Sequence, residues 1–302
     1  MSVRWGGIAR AAVAGGTMAV ALGVGTGLGE HVTRWAGVSG LVGRLVPALL
    51  TCLIAVPVVL VLRRRWDRRP LRQLGLTGVG ASMRGFALGV GVTLASAITV
   101  FGAGTAAGWL RWRELDPGGL LAFVAGNGLV ALLLEALPEE LTMRGYAWTA
   151  LRERHRAALA TTVTTVVFLL VPGVSTLVTA GVAATLGGPP APIGLVPDGE
   201  DPVSYLVLLT VFGLTLVAAR TATSARSLGT CIGTHLTFLT VDRVVLFGPD
   251  YQAGWSAELA TPDVVLLVPA YLLVTMAAYL AINRLRRRRR TPNPQAPRVR
   301  TA

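Results

Sequence analysis

The sequence predicts an all-α polytopic membrane bundle of about eight transmembrane helices with both termini cytoplasmic. Three observations carry that expectation. Of 302 residues, 53% are hydrophobic and only 14% are charged, against roughly 25% in soluble domains. Mean hydropathy is +0.61, and several apolar runs reach the ~20 residues that cross a bilayer as a helix. The alternating segments of about ten residues that mark a membrane barrel are absent. Spanning segments must satisfy their own backbone groups, so they are read as helices.

The spans fall at about 8–28, 41–62, 85–107, 118–138, 157–181, 203–219, 227–247 and 264–283. The first follows a basic start and has the outline of a signal peptide. Similar runs follow it and it lacks a clear A-x-A site, so it is read as a retained helix. The second ends on Arg63, Arg64, Arg65, Arg68, Arg69 and Arg72, and the fourth runs into "LPEELTMRGY". Arg144, Arg152, Arg154 and Arg156 precede the fifth, Arg220 and Arg226 the seventh, and Arg286 to Arg290 follow the eighth. The alternate loops hold Asp198, Glu200 and Asp201, then Asp250, Glu258 and Asp263. This asymmetry is a positive-inside pattern and places the arginine-rich loops in the cytoplasm.

All 28 basic residues are arginines, and the net charge is +13. They border apolar runs instead of forming one basic face, which argues against a nucleic-acid partner and for anionic lipids as partners of the loops and tail. Arginine preference with abundant Ala, Gly and Val fits a GC-rich bacterial genome, hence a multi-pass protein of the bacterial inner membrane. Cys52 and Cys231 both lie in apolar runs and form neither a disulfide framework nor a CxxC metal site. Four segments are expected: N-terminal membrane helices 1–69, a core 70–247, an external loop and last helix 248–284, and a disordered basic tail 285–302.

Charges within a bilayer are costly and mark candidate sites. They are Glu135, Glu139 and Glu140 in the fourth span, with His235, Asp242 and Arg243 in the seventh. Glu140 and Arg144 are spaced to pair on one helical face, Glu135 and Glu139 form a second column, and Pro138 is expected to kink the helix. Asp242 and Arg243 are expected to neutralise each other. His235 and the glutamates lie at matching depths, and a shielded carboxylate beside an imidazole can activate water, alone or with a metal. A polar helix end whose charges reach the interface is the competing reading.

At these residues the chain resembles the CPBP family, the CAAX-protease and bacteriocin-processing intramembrane endopeptidases. The family's EExxxR motif stands in "EELTMRGYAWTAL" as Glu139, Glu140 and Arg144, followed by Gly145 and Tyr146. "SLGTCIGTHLTFL" resembles the family's S-L-x-x-x-I-x-x-H run through Ser227, Leu228, Ile232 and His235, and the resemblance extends over roughly 70–245. Two positions depart from it: the FxxxH motif reads Phe168 to Pro172, and Leu239 stands where a polar residue is usual. The resemblance implies hydrolysis of a peptide bond in a membrane-associated peptide or protein. Glu139 would be general base, Glu140 and Arg144 its structural partners, and His235 polariser or metal ligand. It implies zinc or another divalent metal, or a metal-free site. An inactive relative that binds membrane partners is the alternative, and a small transporter a third.

Overall fold

The computed structural model describes residues 6–223 and 226–290, without the side chains of 289 and 290. Eight long helices occupy the expected spans: α1 Gly7–Ala36, α2 Gly40–Trp66, α3 Val79–Ala106, α4 Pro117–Arg152, α5 Ala157–Thr185, α6 Pro202–Ala222, α7 Leu228–Val245 and α8 Leu267–Arg290. Among the described residues seven helices are long and apolar enough to cross a membrane; α7, which carries His235, Asp242 and Arg243, is not one of these. The chain is thus an all-α bundle of membrane-spanning type.

Two details differ from the sequence reading. A two-stranded antiparallel ladder, β1 Leu110–Trp112 with β2 Ala257–Leu259, ties the loop after α3 to the loop before α8. Three residues per strand are too few to show an alternating pattern. The last helix continues to Arg290, so the tail expected from 285 begins in a helix; residues 291–302 lie outside the described residues. Arginine is a good helix former, and Arg286 donates to the Thr221 carbonyl at 3.2 Å and to Asn283 Oδ1 at 2.8 Å.

The helices alternate in direction, which sorts the loops onto two ends. At the arginine-rich end, Arg63 donates to Asp67 and Glu153 at 3.1 Å each, and Arg10 to Glu153 at 3.0 Å. Arg63 is fully buried, so it is an internal cross-link and not the exposed loop charge its position suggested. Burial alone would push the Glu153 carboxyl up; the hydrogen bonds and charges of Arg10 and Arg63 outweigh it and hold Glu153 below the usual carboxylate range. At the acid-rich end, Asp201 caps α6 by accepting from the Ser204 amide at 2.8 Å. There too the loop after α5 folds back along its own helix. Gly194 lies against α5 at Gly173, and Thr176 Oγ1 donates to the Gly194 carbonyl at 2.9 Å.

Two close packings position the site. α3 and α7 meet backbone to backbone: a Cβ on Gly233 would collide with the Phe86 carbonyl, and one on Gly229 with that of Ser82. Glycine allows that approach at membrane depth. Ser227 then caps α7 by accepting from the Gly229 amide at 3.1 Å, while the Leu228 amide donates to the Gly75 carbonyl at 3.0 Å. Start, rotation and depth of α7 are therefore all fixed.

Candidate active site

The site forms where α4 departs from regular winding. Wide π-type turns occupy Leu132–Ala136 and Glu140–Ala147, on either side of Pro138. A proline lacks an N–H and its ring crowds the carbonyl four residues back; a wider turn relieves both, and such bulges occur frequently at functional sites. The second turn leaves Glu140, Arg144 and every residue between them buried. There the Trp148 amide bonds the carbonyl of Met143, five residues back. The Arg144 carbonyl instead accepts from Nε of Arg220 at 3.1 Å.

Four of the predicted residues converge. Glu140 Oε1 accepts from Arg144 Nη1 at 3.2 Å and meets His235 Nδ1 at 2.9 Å. An ionised carboxylate only accepts, so with Glu140 ionised Nδ1 carries the proton and Nε2 keeps its lone pair. That Nε2 faces Glu139 Oε2 at 4.0 Å. The separation is too long for a direct hydrogen bond and suits one bridging water. Glu139 is 13% exposed at its side chain, whereas Glu140 and His235 are at 0% and 2%.

Aromatic rings form the opposite wall. The Arg144 guanidinium lies 4.3 Å from the Phe168 centroid, and the Phe212 ring meets His235 edge-on at 4.8 Å. Phe212 stacks in turn on Phe238 at 4.3 Å. Phe168 therefore holds an arginine in place. One turn further along α5, Pro172 offers only its carbonyl, which accepts from Ser175 Oγ at 2.7 Å.

Two sequence expectations are corrected here. Asp242 and Arg243 make no direct ion pair, because neighbours on a helix point about 100° apart. Arg243 instead donates to Glu135 at 2.6 Å and to Asn127 at 3.1 Å. Glu135 accordingly also serves a second contact between α4 and α7. Arg220, read as a loop charge, is 2% exposed beneath the site. Phe212, Asn127 and Arg220 were not anticipated as neighbours of the site. Asn127 had a signal, being an amide inside an apolar run; nothing in one sequence distinguishes Phe212 from other core aromatics.

A catalytic zinc takes three protein ligands. Glu140 Oε1 is committed to Arg144 and His235 Nδ1, which leaves Glu139, His235 Nε2 and the buried, unpartnered Glu140 Oε2, with none from Pro172 or Leu239. Among the described residues no group of three or more His, Cys, Asp or Glu is arranged to hold a metal. We derive no step through one.

No curated protein and no solved structure matches the chain. Residues 120–241 match the family model described as type II CAAX prenyl endopeptidase Rce1-like. The match contains the EExxxR turn, Phe168 and His235, and leaves out the segment from 70 to 119 that the sequence comparison had included. Over residues 120–241, the stretch that builds the site, the chain is therefore similar to the Rce1-like endopeptidases.

Proposed function

We propose that the protein is an intramembrane endopeptidase that hydrolyses a peptide bond in a membrane-associated peptide or protein with a Glu139-activated water. The observation that carries this reading is the shared Glu140 Oε1. By engaging Arg144 and His235 Nδ1 together, it turns Nε2 toward Glu139. A water between Oε2 and Nε2 donates one hydrogen to each and keeps oxygen lone pairs for attack. Glu139 takes the proton as the water oxygen bonds the carbonyl carbon, then passes it to the leaving amine as the C–N bond breaks. Glu140 and Arg144 position the imidazole. We place the protein in the inner membrane of a bacterium with its arginine-rich end in the cytoplasm, where the arginines bind anionic lipid headgroups.

With Pro172 and Leu239 in place, two positions that bear polar residues in the family offer no side-chain donor for the oxyanion. Losing one such donor typically costs about 10²–10³ in rate, so turnover is expected to be slow. The test is cleavage of a panel of membrane peptides by purified, reconstituted protein. Wild type should cleave and Glu139→Gln should not; equal cleavage by both would remove the assignment. The same two residues favour a second reading, a non-catalytic relative that binds membrane partners in the groove. An inert wild type that gains cleavage on Pro172→His with Leu239→Asn would establish that reading.

A further inference from the structure

Two polar stripes leave the site along facing helices, and both run toward the acid-rich end. On α4, Asn127 and Glu135 precede Glu139; on α7, Asp242 and Arg243 lie seven and eight residues beyond His235 and share its face. They join across the gap. Arg243 donates to Glu135 at 2.6 Å and to Asn127 at 3.1 Å, with its guanidinium 5.5 Å from the Tyr251 centroid. Glu200, in the loop before α6, acts electrostatically on Asp242 and on Tyr205, and Tyr205 also feels Glu139 and Glu135.

These groups are not sealed. Glu139, Arg243 and Glu135 expose 13%, 15% and 21% of their side chains. A charge exposed to hydrocarbon at mid-membrane costs on the order of 3 kcal/mol or more, so the surface they show is stable only against water. Asn127 Nδ2 and Asp242 Oδ1 are buried and find no partner in the protein, and a wet passage would satisfy both. Toward the arginine-rich end the same helices close. Met143, Ala147, Cys231 and Leu228 are buried there, with Leu74, Tyr146, Trp148 and Arg220 each at most 4% exposed beneath them.

We propose that water reaches Glu139 through a polar vestibule between α4 and α7 that opens only at the acid-rich end, with the Glu135–Arg243 pair as its inner constriction. The proposal concerns the same site but does not require proteolysis. If the site is a peptidase, the bond it cuts is hydrolysed by water drawn from that side.

Leu239, one turn beyond His235 and partly buried, faces the vestibule and reports on it. Leu239→Cys is placed in a Cys52→Ser background; the native Cys231 is fully buried. Sealed vesicles are treated with a charged, membrane-impermeant methanethiosulfonate from either side, with the exposed positions Asp198→Cys and Arg154→Cys marking the two faces. The new thiol should react only from the face that labels Asp198→Cys. Adding Arg243→Gln should speed labelling at least tenfold, and Arg243→Lys should do so less. Labelling from the Arg154→Cys face, or from neither, would overturn the vestibule. An unchanged rate in both Arg243 variants would remove the constriction. If the second-site variants fail to fold, the sidedness of Leu239→Cys alone decides. A protein that cleaves no peptide yet shows this labelling would sink the protease reading and keep the vestibule.

Discussion

Removing the charge of Glu140 while keeping its shape isolates the contact on which the site depends. Glu140 and Arg144 expose 0% and 1% of their side chains, so neither has water to fall back on. Glu140→Gln removes the acceptor's charge from two hydrogen bonds, each a loss of about 1 kcal/mol. It also leaves the Arg144 guanidinium buried, with Nε and Nη2 already lacking partners. Removing one member of a buried pair costs about 3–5 kcal/mol, and the Phe168 ring recovers only part, about 1 kcal/mol. We therefore expect Glu140→Gln and Arg144→Met each to destabilise by about 3–5 kcal/mol. The double variant, which buries no unpaired charge, should be well short of their sum, with a coupling of at least about 2 kcal/mol. Reversible unfolding in mixed micelles or steric trapping in bicelles measures all three. Strict additivity would refute the argument, because the two residues would then not stabilise each other.

Two further expectations test the scaffold. Gly233→Val drives a side chain into the Phe86 carbonyl and should lower the thermal midpoint through an overpacking cost of about 1–3 kcal/mol. Gly91→Ala, where a Cβ meets nothing within 4 Å, should be neutral or stabilising by up to ~1 kcal/mol; equal effects would show that the α3–α7 approach is not tight. Glu153 gives the pH dependence. Its folded carboxyl is held below its ordinary value, so its contribution is full above the unfolded value of about 4.3. That contribution is lost as pH falls toward and through the lower folded value. Melting from pH 6 to 3 should show stability dropping at the acid end, and Glu153→Gln should flatten that drop.

The bundle was legible because hydropathy and loop charge are one-dimensional signals. Length decides whether a run crosses hydrocarbon, and arginine placement sorts the ends without any contact being known. The meeting of Glu139 and Glu140 with His235 was legible for a related reason: depth along a helix is counted in residues. Rotation is what the sequence hides. Whether Arg243 turns to Asp242 or to Glu135 depends on which helix faces α7, and that is set by Gly229 and Gly233 against α3. Winding was hidden as well. Pro138 announced a disturbance, but not that wide turns would absorb it and present the Arg144 carbonyl to Arg220. Nor does one sequence separate a buried arginine from an interfacial one, so Arg63 and Arg220 read as loop charges until their partners came into view.

The loop that folds back along α5 offers a handle for engineering. From Thr185, at the helix end, to Gly173 is about 18 Å at 1.5 Å per residue, and the chain covers it between Thr185 and Gly194. An extended chain needs about five or six residues for that distance, so the Gly-Pro-rich stretch before Gly194 carries slack. Residues near Pro189 and Pro190 can be shortened a little, or opened to accept an epitope, without pulling Gly194 from Thr176. The same change between Gly194 and Asp201 would disturb both that anchor and the start of α6. A tag placed at the first position leaves the interior of the protein untouched and fixes which face of the membrane the loop occupies.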